Sequence, residues 1–303
     1  SMVTILECDY VYNAWRAERT AQGWHLVSQE KRHQNRPFTE EYALCGVYRQ
    51  SGEPYTLEKI TRDAYPDLPA HQAVPRSFSD RVAHAVAQGN RVLTPSGYCI
   101  YAPAVLGGIQ RALGEDKVLG VVWIDAHTDN FILEDTAKDS VTLVGVPLST
   151  LLGQTMERWR VEDCGLRVPC RGENVLVSDA RRAGEEGIRN LKASGARWLN
   201  EEEFEDTSRW RREVQALARR VDALYVMLDA DILHASYIPA YFRQEPGGHT
   251  WEKVAENLGA VMETGKVAAF SAFCFDFDKA HSGEETTVLN AMRILGAGLS
   301  AWK

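Results

Sequence analysis

The chain has 303 residues, 45% of them hydrophobic, and a formal net charge of −8. That length suits one large α/β domain or two ordinary ones, and the apolar share is enough for a sizeable core. The acidic balance excludes a general nucleic-acid surface, which needs a basic stripe, and no apolar run approaches the ~20 residues that span a membrane.

Ser1-Met2 reads as a tag remnant ahead of an initiator methionine, with no signal peptide behind it. Asn13–Gln34 is polar with interspersed aromatics and fits a lid or an oligomer contact. Residues 50–75, rich in Pro, Gly, Tyr and charge, read as a long excursion near the site. From about residue 90 onward, strand-like and helix-like runs alternate. Strands are expected at Lys117–Ile124, Asn174–Val177, Ala223–Leu228 and Val267–Phe275. Helices are expected at Ser79–Gln88, Pro103–Leu113, Glu185–Ala193, Ser208–Val221, Trp251–Met262 and Glu284–Ala301. The alternation predicts a three-layer α/β/α architecture with a mostly parallel central sheet. Continuous apolar strands such as Leu119–Ile124 fit burial on both faces. One domain over residues 1–303 accounts for the pattern, with 1–90 poorly assigned.

The six cysteines are Cys8, Cys45, Cys99, Cys164, Cys170 and Cys274. None forms a CxxC pair, so a zinc knuckle or thioredoxin-type site is not expected. Cys274 lies in an apolar run and reads as a core residue. A reducing cytoplasm is the simplest setting.

Two strings carry the chemistry: Asp125-Ala126-His127-Thr128-Asp129 and Leu228-Asp229-Ala230-Asp231. Each follows a strand-like run. In an extended chain residues i and i+2 project the same way, so Asp125 with His127, and Asp229 with Asp231, would enter one cavity if strand pairing reaches that far. Carboxylates can bridge two ions, and one imidazole among several carboxylates suits Mn²⁺ better than a thiolate-rich structural zinc site does. The plainer alternative is that Asp125 and Asp129 merely cap the turn after a strand. Asp276 also falls just beyond a strand end, and ligands in open α/β sheets bind outside the carboxyl ends of strands.

On these residues the chain resembles the ureohydrolase superfamily of arginase, agmatinase and formiminoglutamase. The first string matches its DAHxD motif, the second its later aspartate pair, and Glu245-Pro246-Gly247-Gly248 with Thr250 its glycine turn. The resemblance runs from about Val92 to the C-terminus. It implies an arginase-like fold, a pair of Mn²⁺ ions, a small guanidino or amidine substrate and a homo-oligomer. By carry-over, Asp125, Asp129 and Asp229 hold one ion, and Asp125, His127, Asp229 and Asp231 the other. Water activated between them attacks a planar guanidine or amidine carbon, and an amine leaves. Asp129 is also expected to be a catalytic residue.

The chain also departs from the family. Where the family has a metal-binding histidine, Pro95-Ser96-Gly97-Tyr98-Cys99 places Cys99, similar to a cysteine-bearing branch that includes a hydroxyarginine hydrolase. A thiolate there shifts preference towards Zn²⁺ or Fe²⁺, unless Cys99 is only a small buried residue. Val144 replaces a proton-shuttling histidine, which makes His249 a substitute donor or else an ordinary surface histidine. Asp276 stands for the guanidinium-binding glutamate, or is a strand-end carboxylate satisfied by backbone. Arg182 falls where an aspartate would read an α-ammonium, so an acidic group on the substrate is favoured over plain arginine; a solvated basic loop is the alternative. Tyr241 and Phe242 fit the substrate entrance, while Tyr98, Tyr101, Trp123, Phe131 and Tyr237 fit the core.

A binuclear C–N hydrolase is therefore expected, releasing urea or a urea-like product. A non-catalytic relative acting as a binding or oligomer partner is the alternative, motivated by Cys99 and Val144. A zinc deacetylase of related fold would need a tandem histidine pair, which the chain lacks.

Overall fold

The computed structural model describes residues 2–9, 15–28, 36–241, 243–277 and 283–303, without the side chains of 276 and 277. In chain order the strands are β1 Val3–Cys8, β2 Arg16–Thr20, β3 Gly23–Val27, β4 Arg36–Pro37, β5 Tyr55–Ile60, β6 Arg91–Thr94, β7 Leu119–Asp125, β8 Ser140–Thr142, β9 Val175–Asp179, β10 Arg197–Leu199, β11 Ala223–Asp229, β12 Val267–Phe273 and β13 Asp276–Phe277. Eight of them form one sheet in the order β10-β9-β7-β11-β12-β6-β1-β5, parallel throughout.

The two strands at the centre, β7 and β11, are buried at every residue, as expected of a parallel strand covered on both faces. On β12 the two faces can be told apart. Phe270 packs edge-on to Trp302 behind the C-terminal helix Glu284–Ala301, while Phe273, of opposite parity, meets Tyr101 ahead of the helix Ala102–Leu113. Helices therefore cover both sides, and the architecture is the three-layer one expected.

The first ninety residues are more regular than their sequence suggested. β1 and β5 finish the sheet beyond β6, so Tyr55–Ile60 is an edge strand and not an excursion near the site. Four strand spacings, on the order of 19 Å, separate it from β11. The helix expected at Ser79–Gln88 begins at Ala70 and runs through Pro75. Arg16–Thr20 and Gly23–Val27 form a hairpin that pairs with β8, tying part of the 13–34 stretch to the loop after the first motif. The helix that follows Cys99 approaches its neighbours closely: a side-chain carbon on Gly107 would lie 1.9 Å from the Cys164 carbonyl oxygen.

The chain order reverses between β7 and β11. From β7 it moves outward through β9 to β10, then returns to place β11 and β12 between β7 and β6. Ligands in open α/β sheets bind at the carboxyl ends of strands where such a reversal opens a crevice. Among the described residues, no helix is long and apolar enough to cross a membrane.

Candidate metal centre

Strand register levels the site. Asp125 pairs with Asp179 across β7–β9, Ile124 pairs with Leu228 across β7–β11, and Asp229 pairs with Phe273 across β11–β12. Asp179, Asp125 and Asp229 thus end three adjacent strands at one height, and Cys274 follows at the end of the fourth. The Cys274 amide donates to the Gly97 carbonyl at 2.8 Å, which joins the loop carrying Cys99 to the same rim.

The i, i+2 pairs come together by turns, not by strand alternation, because both strands stop at the first aspartate. The His127 amide donates to Asp125 Oδ1 at 2.8 Å, and the Asp231 amide to Asp229 Oδ1 at 3.0 Å. One oxygen of each aspartate closes its turn; Asp125 Oδ2 is left without a partner, while Asp229 Oδ2 accepts from the Cys274 thiol at 3.2 Å. For Asp125 the capping alternative and the ligand reading are therefore compatible.

Two donor groups result. Ligand atoms of Cys99, Asp129 and Asp229 lie within 4.8 Å of one another, as do those of Asp125, His127 and Asp231. Asp125 Oδ2 and Asp129 Oδ2 are buried without a hydrogen-bond partner. Buried carboxylate oxygens are costly to leave unmatched, so their convergence fits divalent cations. His127 Nδ1 is 2.8 Å from Asp231 Oδ2, and the Ala126 amide donates to Asp231 Oδ1 at 3.0 Å. Backbone strain gathers here too: Asp129, Ala180 and Cys274 have φ of 46°, 57° and 67°, a region that non-glycine residues rarely occupy.

The electrostatics follow from crowding. Burial, then the charges of Asp129 and Asp231, raise the Asp125 carboxyl well above its usual range. Burial and the charges of Asp231 and Asp125 do the same to Asp229. Asp129 is pushed up to about 6, mainly by burial. Burial opposes charge on His127, but Asp125 and Asp231 outweigh it and push the imidazole up to about 12. Burial also opposes charge on Asp231, yet its bond to His127 and the backbone donor hold it below the usual range.

The remaining sequence-selected residues are distributed unevenly. Tyr241 is buried near Asp229, whose charge adds to burial in raising its hydroxyl. The Cys99 thiol donates to the Val144 carbonyl at 3.5 Å, so the two departures from the family pattern are neighbours. Arg182 is half-exposed at the rim and pairs with Glu245 at 2.8 Å. His249 is not on the surface: its side chain is fully buried, with Nε2 2.6 Å from Asp179 and Nδ1 2.7 Å from Glu205. Both ring nitrogens are therefore engaged by carboxylates. Asp276 opens β13 opposite Pro37, but its side chain lies outside the described part, as does all of Phe242.

Four residues were missed by the sequence reading. Asp179 ends the run Val175–Asp179 just as Asp125 and Asp229 end theirs, and that parallel was available as a signal. Glu245, read only as part of the glycine turn, reaches His127 Nε2 at 3.3 Å. Arg181 is buried and donates to Asp179, to the Asp231 carbonyl at 2.6 Å and to the Pro246 carbonyl at 2.9 Å. Cys274, expected in the core, is buried but places its thiol 3.2 Å from Asp229 Oδ2.

Comparison with known proteins agrees with this geometry. The arginase from Brucella melitensis is 26% identical over 221 residues, covering 67% of this chain and 66% of that protein, so the chain aligns with just under two thirds of that relative's length. The formimidoylglutamase from Chromobacterium violaceum is 26% identical over 289 residues, covering 85% and 86%. Among solved structures, the Entamoeba histolytica arginase in complex with L-ornithine superposes with a TM-score of 0.77 at 15% identity, covering 98% of each chain. A model of the arginase family matches residues 35–297, which takes in every candidate ligand named above, and the chain belongs to that family.

Proposed function

We propose that this chain is a binuclear metal-dependent hydrolase of a C–N bond in a guanidino, hydroxyguanidino or amidine compound. The observation that carries the reading is the pair of abutting donor groups with two orphaned carboxylate oxygens. Cys99, Asp129 and Asp229 would hold one ion and Asp125, His127 and Asp231 the other. The carboxylate-rich set suits Mn²⁺, and the thiol admits Zn²⁺ or Fe²⁺. Divalent cations held there supply Lewis-acid activation of water near neutral pH.

The chain's own residues supply the rest. Asp129 Oδ2, buried and unpartnered, receives the proton of the attacking water. Attack on the planar carbon gives a tetrahedral centre, and the proton taken up by Asp129 passes to the leaving nitrogen as that centre collapses, so that the amine departs and urea or a urea-like product remains. Asp276 would pair with the cationic amidine, and Tyr241, buried near Asp229, would contact the substrate. Arg182 receives an acidic group on the substrate. His249, with both nitrogens engaged, positions Asp179 rather than donating a proton to the leaving amine. The orphaned oxygens weigh against a relative that only binds partners, since such a protein gains nothing from their burial cost.

The test is turnover of a guanidino and amidine panel by Mn²⁺-loaded protein, with Asp125→Ala beside it. Turnover that vanishes in the variant and on chelation is expected. Full turnover by Asp125→Ala would remove the proposal.

A further inference from the structure

The two donor groups are chemically unlike. Asp125, His127 and Asp231 offer carboxylates and an imidazole, whereas the other group contains the Cys99 thiol. A second thiol stands one hydrogen bond outside that group. Cys274 Sγ donates to Asp229 Oδ2 at 3.2 Å, and Asp229 is a member of the group that contains the Cys99 thiol. Both side chains are buried at 3% exposure. The Cys274 amide is fixed to Gly97 at 2.8 Å, and its φ of 67° is one that a cysteine adopts only where the surroundings hold it.

We infer that Cys274 is a further metal ligand, so that Cys99, Cys274 and Asp229 with Asp129 form a thiolate-bearing position for Zn²⁺ or Fe²⁺ beside a carboxylate–imidazole position for Mn²⁺. The inference rests on the binuclear reading above and adds that the pair is mixed. Soft thiolates select borderline ions such as Zn²⁺, and hard carboxylates suit Mn²⁺. Each thiol gives up one proton as its sulfur binds the cation, so two protons leave for two sulfur–metal bonds. The bond from Cys274 to Asp229 already sets this sulfur beside a carboxylate of the same position.

The experiment is titration of the full-length, reduced, metal-free chain with Co²⁺, read by sulfur-to-cobalt charge-transfer absorption. A band is expected with the first equivalent, weakened in Cys274→Ser and absent in the Cys99→Ser/Cys274→Ser double variant. Far-ultraviolet circular dichroism establishes that the variants fold. A Cys274→Ser band as intense as the wild type, or no band in the wild type, overturns the inference. Reconstitution with Mn²⁺ and Zn²⁺ together, followed by elemental analysis, should give one of each per chain. Two Mn²⁺ ions with guanidino turnover would sink the mixed pair and leave the proposed hydrolase standing. Turnover surviving in Asp125→Ala would sink the hydrolase and leave the thiolate band to be judged separately.

Discussion

Asp125 and Asp179 end neighbouring strands in register, and their carboxylates are used in opposite ways. Asp179 is saturated: it accepts from His249 at 2.6 Å, from the Arg181 amide at 3.1 Å and from the Arg181 guanidinium at 3.3 Å. Asp125 keeps Oδ2 without a partner. The same strand-end position thus yields a brace in one strand and a ligand in the next. Arg181 links the two, since it also holds the Asp231 carbonyl.

His249 is the removable half of that brace. Burial opposes its charge, but the bonds to Asp179 and Glu205 raise its pKa, so it is held as a cation between two carboxylates. His249→Leu leaves Asp179 buried with Arg181 alone. Breaking a buried ion pair by removing one partner costs about 3 kcal/mol or more. Urea unfolding should show a loss of that size, with metal affinity falling as Asp231 loosens. Unchanged stability would mean that Arg181 alone satisfies Asp179.

The strands that hold the ligands were legible because they are continuous apolar runs ending in aspartate. Lys117–Ile124 and Ala223–Leu228 differ from β7 and β11 by at most two residues at either end. The first ninety residues were not legible in the same way. β5 is an edge strand with mostly exposed residues, and it lacks the hydrophobic run that marked the central strands. Pro75 interrupts the pattern of a helix that the surrounding core nevertheless sustains, an override of local propensity by packing. Partners that meet only across the fold, such as His249 with Asp179 or Cys274 with Asp229, have no local signature. Their sequence separations are 70 and 45 residues.

Glu245 fixes the ring that the second donor group depends on. Its Oε1 faces His127 Nε2 at 3.3 Å, while Oε2 accepts from Arg182 at 2.8 Å. A carboxylate on the far nitrogen sets the tautomer and orientation of a ligating imidazole, and its loss typically costs 10–100-fold in metal affinity. Glu245→Gln should weaken Mn²⁺ binding by about that factor in a competition titration with a chelating dye. Unaltered affinity would show that Asp231 alone orients His127.

The metal-free chain should lose stability as pH rises. Asp129 is protonated up to about 6 in the folded chain but ionises near 3.8 when unfolded, so folding is favoured at low pH and this contribution is lost between those values. Asp125 and Asp229, also raised, act in the same direction. His127, with a folded pKa of about 12 against 6.5 unfolded, contributes fully below 6.5 and loses its contribution towards 12, the same direction. Asp231 has the opposite sign, but its window lies below 3.8. Thermal scans with chelator should therefore give a higher Tm at pH 5 than at pH 8. Added Mn²⁺ should raise Tm more at pH 8 than at pH 5, because Asp129 has then lost its proton and fewer protons compete for the ligands. A chelated chain more stable at pH 8 would contradict the crowding of these carboxylates.

Arg182 sets the substrate prediction. Its amide donates to the Ala126 carbonyl at 2.8 Å, which ties the loop to the first metal motif, and its guanidinium is half-exposed beside Glu245. A cation so placed repels an ammonium and attracts a carboxylate. A charge-assisted hydrogen bond contributes about 1.5–3 kcal/mol, so Arg182→Ala should lower kcat/KM about 10- to 100-fold for a guanidino acid, through KM. An amidine without an acidic group should lose little. Arg182→Asp should reverse the preference towards a substrate with a free ammonium. If Arg182→Ala treats both substrates alike, the acid-reading role fails, and the arginine serves only to hold Glu245 against His127.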